Sequence, residues 1–285
     1  MKFLQLVLIV LLVIYVALLS LVLNPLWIIV MVSAGLAFGS LGSIIAIRKL
    51  YFLAGASPHI ALLAVALSIP LSVVLGGSEY LYSIIGGILL VYIAGYMIYR
   101  GIESDIATAM VVASTASLSV IVIYYVLTRY PIYFSISAII TGDPLLVGIY
   151  DAMVAFVIAL FTFILVLLTY REQLAIGIDR NMAELLGLRI WVYDLLLYTL
   201  IGLVVVGLLK IVGFILAHVL VLLPPSIAVI RSRSAWEALY LTIVTALVSS
   251  LLGLHFGVLL DISPTGLTGL ILLFLYILAF MRRRT

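Results

Sequence analysis

Residues 212–225 read Val212-Gly213-Phe214-Ile215-Leu216-Ala217-His218-Val219-Leu220-Val221-Leu222-Leu223-Pro224-Pro225, and they close a longer stretch, 187–230, in which a short polar segment leads into two apolar runs. A membrane-spanning run with a glycine, a histidine and a double proline has backbone carbonyls without helical donors. Lipid cannot satisfy them, so the run belongs inside a helix bundle or beside water. The stretch predicts an all-α transmembrane bundle with an interior path, as a transporter needs.

Working outward, 67% of the 285 residues are hydrophobic and 9% charged, and mean hydropathy is +1.46. These values exclude a soluble surface and predict a multi-pass protein of the cell membrane, with the lipid bilayer as its first partner. The excess of 14 Lys and Arg over 11 Asp and Glu is small and reads as topology; no basic patch interleaved with aromatics points to nucleic acid. Cysteine is absent, which excludes disulfides, thiolate catalysis and thiolate metal sites. Metal ligation would have to use histidine, carboxylate or backbone.

Runs of about 20 apolar residues, the length that spans hydrocarbon, fall near 3–23, 26–47, 59–76, 80–99, 106–127, 150–170, 191–209, 211–230, 236–254 and 265–281. About ten helices result. With both termini cytoplasmic, the inner side collects Lys2, Arg48, Lys49, Arg100, Arg171, Arg180, Arg189, Arg231, Arg233, Arg282, Arg283 and Arg284, and only Arg129 and Lys210 lie outside, in accord with the positive-inside rule. The first run exceeds a signal-peptide core and lacks a small-x-small site, so 1–24 reads as a retained anchor. Residues 1–285 read as one domain.

Three segments depart from plain helices. Tyr130 to Gly142, bounded by Pro131 and Gly142-Asp143-Pro144, is too short to span and reads as a re-entrant or interfacial piece on the outer side. The longest inner loop, 171–189, contains Asp179-Arg180-Asn181-Met182-Ala183-Glu184-Leu185-Leu186-Gly187, a short helix with an Asp N-cap and a Gly stop. The third, 255–266, is an outer loop ending Asp261-Ile262-Ser263-Pro264-Thr265-Gly266.

Gly39-Ser40-Leu41-Gly42 with Arg48-Lys49 and Phe52-Leu53 leads to His59; then come Glu103-Ser104-Asp105, Thr141-Gly142-Asp143 before Asp151, Asp179 with Ala183 and Gly187, Val212-Gly213 with Leu222 to Ala228, and Pro264-Thr265-Gly266. Six motifs in this order resemble the permease subunits of ATP-binding-cassette importers for manganese, zinc and iron, over about 28–280. The resemblance implies a core of nine helices preceded here by an extra one. It also implies two permeases, most simply a homodimer, around one pore, with separate ATPase subunits inside and an extracellular solute-binding protein outside. Asp179, Arg180, Ala183, Glu184 and Gly187 would form the ATPase-coupling element. An ordinary capped connector explains the same residues.

The chain has no glycine-rich loop followed by Lys-Ser or Lys-Thr, so ATP chemistry is expected in a partner and no cofactor is expected on this chain. For the cargo, a divalent Zn, Mn or Fe ion, the resemblance implies an Asp four residues before the His of the third helix; here that position is Gly55, and Pro58 precedes His59. His218 is the compensating candidate, because two neutral imidazoles can share such an ion. Each histidine would equally serve as a hydrogen-bonding residue between helices. Asp143, Asp151, His255 and Asp261 form a candidate outer entrance or, singly, solvated loop ends. Lys210 is expected to snorkel to headgroups, Asp194 to sit in a first helical turn without a function, and Ser114, Thr115, Ser117 and Ser119 to form a surface of close helix approach in the bundle or the dimer.

Two other functions remain open. An ion-coupled secondary transporter would need midplane ionisable groups, for which only His59 and His218 come close, and a permease of this kind could carry a non-metal substrate. An intramembrane enzyme finds no His-Glu-x-x-His, Ser-His or paired-carboxylate constellation.

Overall fold

The computed structural model describes residues 2–130 and 142–281, with side chains from residue 7 onward. All but the two ends of the expected re-entrant piece Tyr130 to Gly142, and the terminal Arg282-Arg283-Arg284, lie outside the described residues. Within them the chain is all-helical: α1 (Lys2–Leu19), α2 (Pro25–Ile47), α3 (Tyr51–Leu75), α4 (Glu79–Tyr99), α5 (Ser104–Arg129), a 3-10 turn (Pro144–Leu146), α6 (Ile149–Ile178), α7 (Arg180–Leu185), α8 (Ile190–Arg231), α9 (Ala235–Leu259) and α10 (Pro264–Met281). Eight of these, α2 to α6 and α8 to α10, are long and apolar enough to cross a membrane.

The cores of α2 and α8 are the most enclosed, whereas α4, α5 and α10 keep most of their surface outward. α2 packs on α6, α9 and α8; α3 packs on α4, α5 and α8. Asn24 caps α2 by accepting from the Leu26 N–H, and Pro25 follows at the first helical position, where a missing N–H does no harm. On α5, Thr115 and Ser119 are buried and Ser114 and Ser117 exposed, so the first pair faces the bundle, where α3 and α4 pack on α5.

At Gly213 α8 breaks, with φ 80° and ψ 165°. A straight helix of 42 residues would be about 63 Å long, twice a hydrocarbon core of about 30 Å. Instead the two halves run antiparallel. Asp194 of the first half is bonded to Arg48 just past the end of α2, and a Cβ at Gly42, also near that end, would lie 3.1 Å from Pro225 of the second half. Two spans are thus joined by one residue, and the two apolar runs expected at 191–209 and 211–230 share a single hydrogen-bonded segment.

Two other boundaries shift. α3 starts at Tyr51 rather than near 59, because Pro58 sits inside the helix; the carbonyl of Ala54 that it leaves without a helical donor accepts from the Ser57 hydroxyl at 2.6 Å. α6 continues to Ile178, through Arg171, Glu172 and Gln173, none of which breaks a helix. The non-helical part of the expected inner loop 171–189 is therefore confined to Asp179 and residues 186–189, on either side of α7.

Candidate functional site

His59 stands on α3 and His218 on the second half of α8, and their rings meet edge to face with centroids 5.4 Å apart. Phe214, one turn from His218, completes the group, 5.0 Å from the His59 ring and 4.4 Å from that of His218. His218 Nδ1 lies 2.9 Å from the Phe214 carbonyl oxygen, and the ring also has the Gly55 backbone of α3 as a hydrogen-bond partner.

All three rings are half-buried and belong to a partly open stripe: Tyr51, Gly55 and His59 on α3, and Phe214, His218, Leu222 and Ser226 on α8. These residues recur every four positions, so each set shares one helical face. Tyr51 hydrogen-bonds Ser226 and neighbours Tyr276, a hydroxyl cluster two helical turns from the histidines. A Cβ at Gly55 would meet only Leu222, at 3.7 Å, so no packing fills the position that the resemblance assigns to an Asp. Pro224 and Pro225 remove the helical donors of the Leu220 and Val221 carbonyls. Among the described residues no group of three His, Asp or Glu side chains is placed to hold a metal ion. The arrangement can offer an ion two nitrogens and oxygen donors in passing.

A second polar centre lies at the end of the bundle where α2 stops. Asp194 accepts from Arg48 and, at 2.6 Å, from Arg180. Arg48 also donates to Gln173 at 2.7 Å, and Gln173 donates to the Tyr193 carbonyl at 3.1 Å. The carboxylate of Asp194 is 9% exposed and the Arg48 side chain 6%, which corrects the expectation that Asp194 merely answers the helix dipole. Sequence reasoning missed this clamp because its partners lie 146 and 14 residues away; the available signal was an acidic residue inside a run otherwise apolar.

The clamp positions α7. Asp179 accepts from the Met182 N–H at 3.0 Å, Gly187 ends the turn at φ 87°, and Ala183 is buried with Ile176 and Ile190. Outward the short helix presents Glu184, Leu185 (84% exposed) and Leu186 (74% exposed). Of the five coupling residues expected here, Arg180 and Ala183 are turned to the bundle and Glu184 to solvent.

Each expected entrance residue has a local setting of its own. Asp143 caps the 3-10 turn through Leu145 N, Asp151 accepts from Gly148 N at 3.0 Å, His255 Nδ1 lies 2.7 Å from the Tyr15 hydroxyl of α1, and Asp261 occupies an exposed turn with φ 54°. Lys210, expected to snorkel, lies 3.4 Å from Glu79. What does meet at this end is Gly142 and the α8 reversal: a Cβ on Gly142 would collide with the carbonyl of Val212.

A helical membrane bundle in which a largely buried helix folds back on itself beside a half-open polar stripe defines a membrane permease. The chain belongs to the ABC 3 transport family, whose model matches residues 18–283. The manganese import system permease protein ScaB of Streptococcus parasanguinis is 27% identical over 232 residues, covering 81% of this chain and 80% of the relative. The manganese transport system membrane protein MntC of Listeria monocytogenes is 26% identical over 251 residues, 88% and 87% of the two chains. The solved structure of PsaBC from Streptococcus pneumoniae in complex with Fab shares the fold, with a TM-score of 0.75 at 24% identity over 89% of each chain.

Proposed function

We propose that this chain is the pore-forming permease of an importer for divalent transition-metal cations, with manganese the first cargo to test, and that a separate ATPase drives it from the side of α7. A second copy of the chain would complete the pore, and an external binding protein would deliver the ion. The observation that carries the reading is the pairing of His59 with His218 on the half-open stripe. Neutral imidazole binds divalent transition ions, and two nitrogens hold an ion less tightly than the closed four-ligand sets of structural sites. An ion that must leave again needs that weakness. The names of the relatives, manganese permeases over most of their length, support the same cargo.

The test is metal uptake by the permease–ATPase complex in liposomes, with manganese, zinc and iron(II) compared. Replacing both histidines, His59→Ala with His218→Ala, is expected to lower uptake about tenfold or more while the ATPase still co-purifies. Full uptake by the double variant would make the histidines packing residues; uptake without ATP hydrolysis would favour an ion-coupled carrier.

A further inference from the structure

Between α4 and the first half of α8, at the end of the bundle that carries Arg48 and Arg180, a crevice of about 300 Å³ opens. Its walls are Tyr92, Tyr96 and Tyr99 from α4 and Trp191, Leu195 and Tyr198 from α8. On each helix the positions are i, i+4 and i+7, so each contributes one face. Tyr96, Tyr99 and Trp191 remain mostly exposed, Tyr99 to 70%, and the tyrosines and tryptophan form the kind of belt that sits at a headgroup boundary.

Asp194 also borders the crevice, but both of its oxygens are engaged by Arg48 and Arg180, so it presents no free negative charge. Two arginines adjoin the lining residues. Arg100, next to Tyr99, lies 5.9 Å from the centre of the Tyr96 ring, and Arg189 is the exposed N-cap of α8, two residues before Trp191. Neither forms a salt bridge with a carboxylate among the described residues. An arginine on the rim of an aromatic, apolar slot between membrane helices, with a second two residues from the lining Trp191, matches one amphiphile: a headgroup phosphate outside and a hydrocarbon chain within.

We propose that this crevice binds one anionic phospholipid of the adjoining leaflet, its phosphate held by Arg100 and Arg189 and an acyl chain laid against the α4 and α8 aromatics. The bound lipid would cover the Asp194 clamp from water and so brace the joint that carries α7. This site is separate from the histidine stripe and does not depend on the cargo.

The test is titration of the full-length protein, purified in detergent, with dioleoyl phosphatidylglycerol and, separately, dioleoyl phosphatidylcholine, read by native mass spectrometry. One retained phosphatidylglycerol per chain, in preference to phosphatidylcholine, is expected. Arg100→Gln with Arg189→Gln is expected to weaken that adduct about 30-fold, from roughly one surface-basic contribution per arginine. Leu195→Trp fills the slot without touching either arginine and is expected to displace both lipids. Equal retention of the two lipids, or phosphatidylglycerol binding undiminished in both variants, overturns the proposal. Loss of the adduct on assembly with the ATPase overturns it too, since the crevice would then be a protein interface.

Discussion

Arg48 and Asp194 are both withdrawn from water, and neither charge could be left there alone: an ion moved into low dielectric loses several kcal/mol of hydration, and a partner returns it only through close, multiple hydrogen bonds. Asp194 meets that condition with two guanidinium groups, and Arg48 meets it with Asp194 and the Gln173 amide. Asp194→Asn, which leaves Arg48 and Arg180 without their counter-charge, is expected to lower stability by about 3 kcal/mol, read as a fall in the melting temperature of the detergent-purified protein. Replacing all three, Arg48→Met, Arg180→Met and Asp194→Leu, is expected to lose less than the single change, because no buried charge then remains. At this scale the sequence was half legible. His59 and His218 stood out, since an imidazole in an apolar run is conspicuous, and the fold brings them together; Asp194 could not be paired by inspection because its partners come from α2 and α7.

Among the elements, α8 was the most readable and still held a surprise. Its two apolar runs, its double proline and its enclosure follow from composition, since freed carbonyls cannot face lipid. The absence of any loop between the runs does not, because Val212-Gly213-Phe214 contains no polar turn residue; only the φ of 80° shows what Gly213 is for. Gly213→Ala forces a side chain into an extended, positive-φ conformation that is essentially reserved for glycine, at roughly 1–3 kcal/mol, and the contact with Gly142 leaves little room to relax. The expected outcome is a lower melting temperature with α7 docking unchanged, measured by thermal unfolding and by co-purification of the ATPase. The helix limits at Tyr51 and Ile178 were misjudged for a plain reason: proline and a run of polar residues usually end helices in water, but a bundle can hold them. α7, by contrast, matched its caps. Because Leu185 and Leu186 are exposed and bear no load in the bundle, Leu185→Asp with Leu186→Asp is expected to cost about tenfold in ATPase affinity or more, without a change in melting temperature. Undiminished pull-down of the ATPase would return α7 to the role of a connector.

For the molecule as a whole, the end that gathers Arg48, Arg180 and Asp194 also receives the start and the finish of α8, and the turn at Asp261 lies at the other end of α9 from Ser232. By the positive-inside rule we propose that this basic end faces inward. Since the native chain has no cysteine, Ser263→Cys and Ser232→Cys provide a clean assay: an impermeant maleimide added to intact cells is expected to label the first and spare the second, and labelling of both from outside would reverse the reading. The single-residue vertex of α8 then has a mechanical meaning. Two struts joined at Gly213 have no loop between them, so on the proposed function a tilt imposed on the first arm where Asp194 holds Arg180 of α7 would swing the vertex and carry His218 with it. A few glycines spliced in at 213 would give that crank play, and the machine would idle: nucleotide turned over at one end, the cargo unmoved at the other.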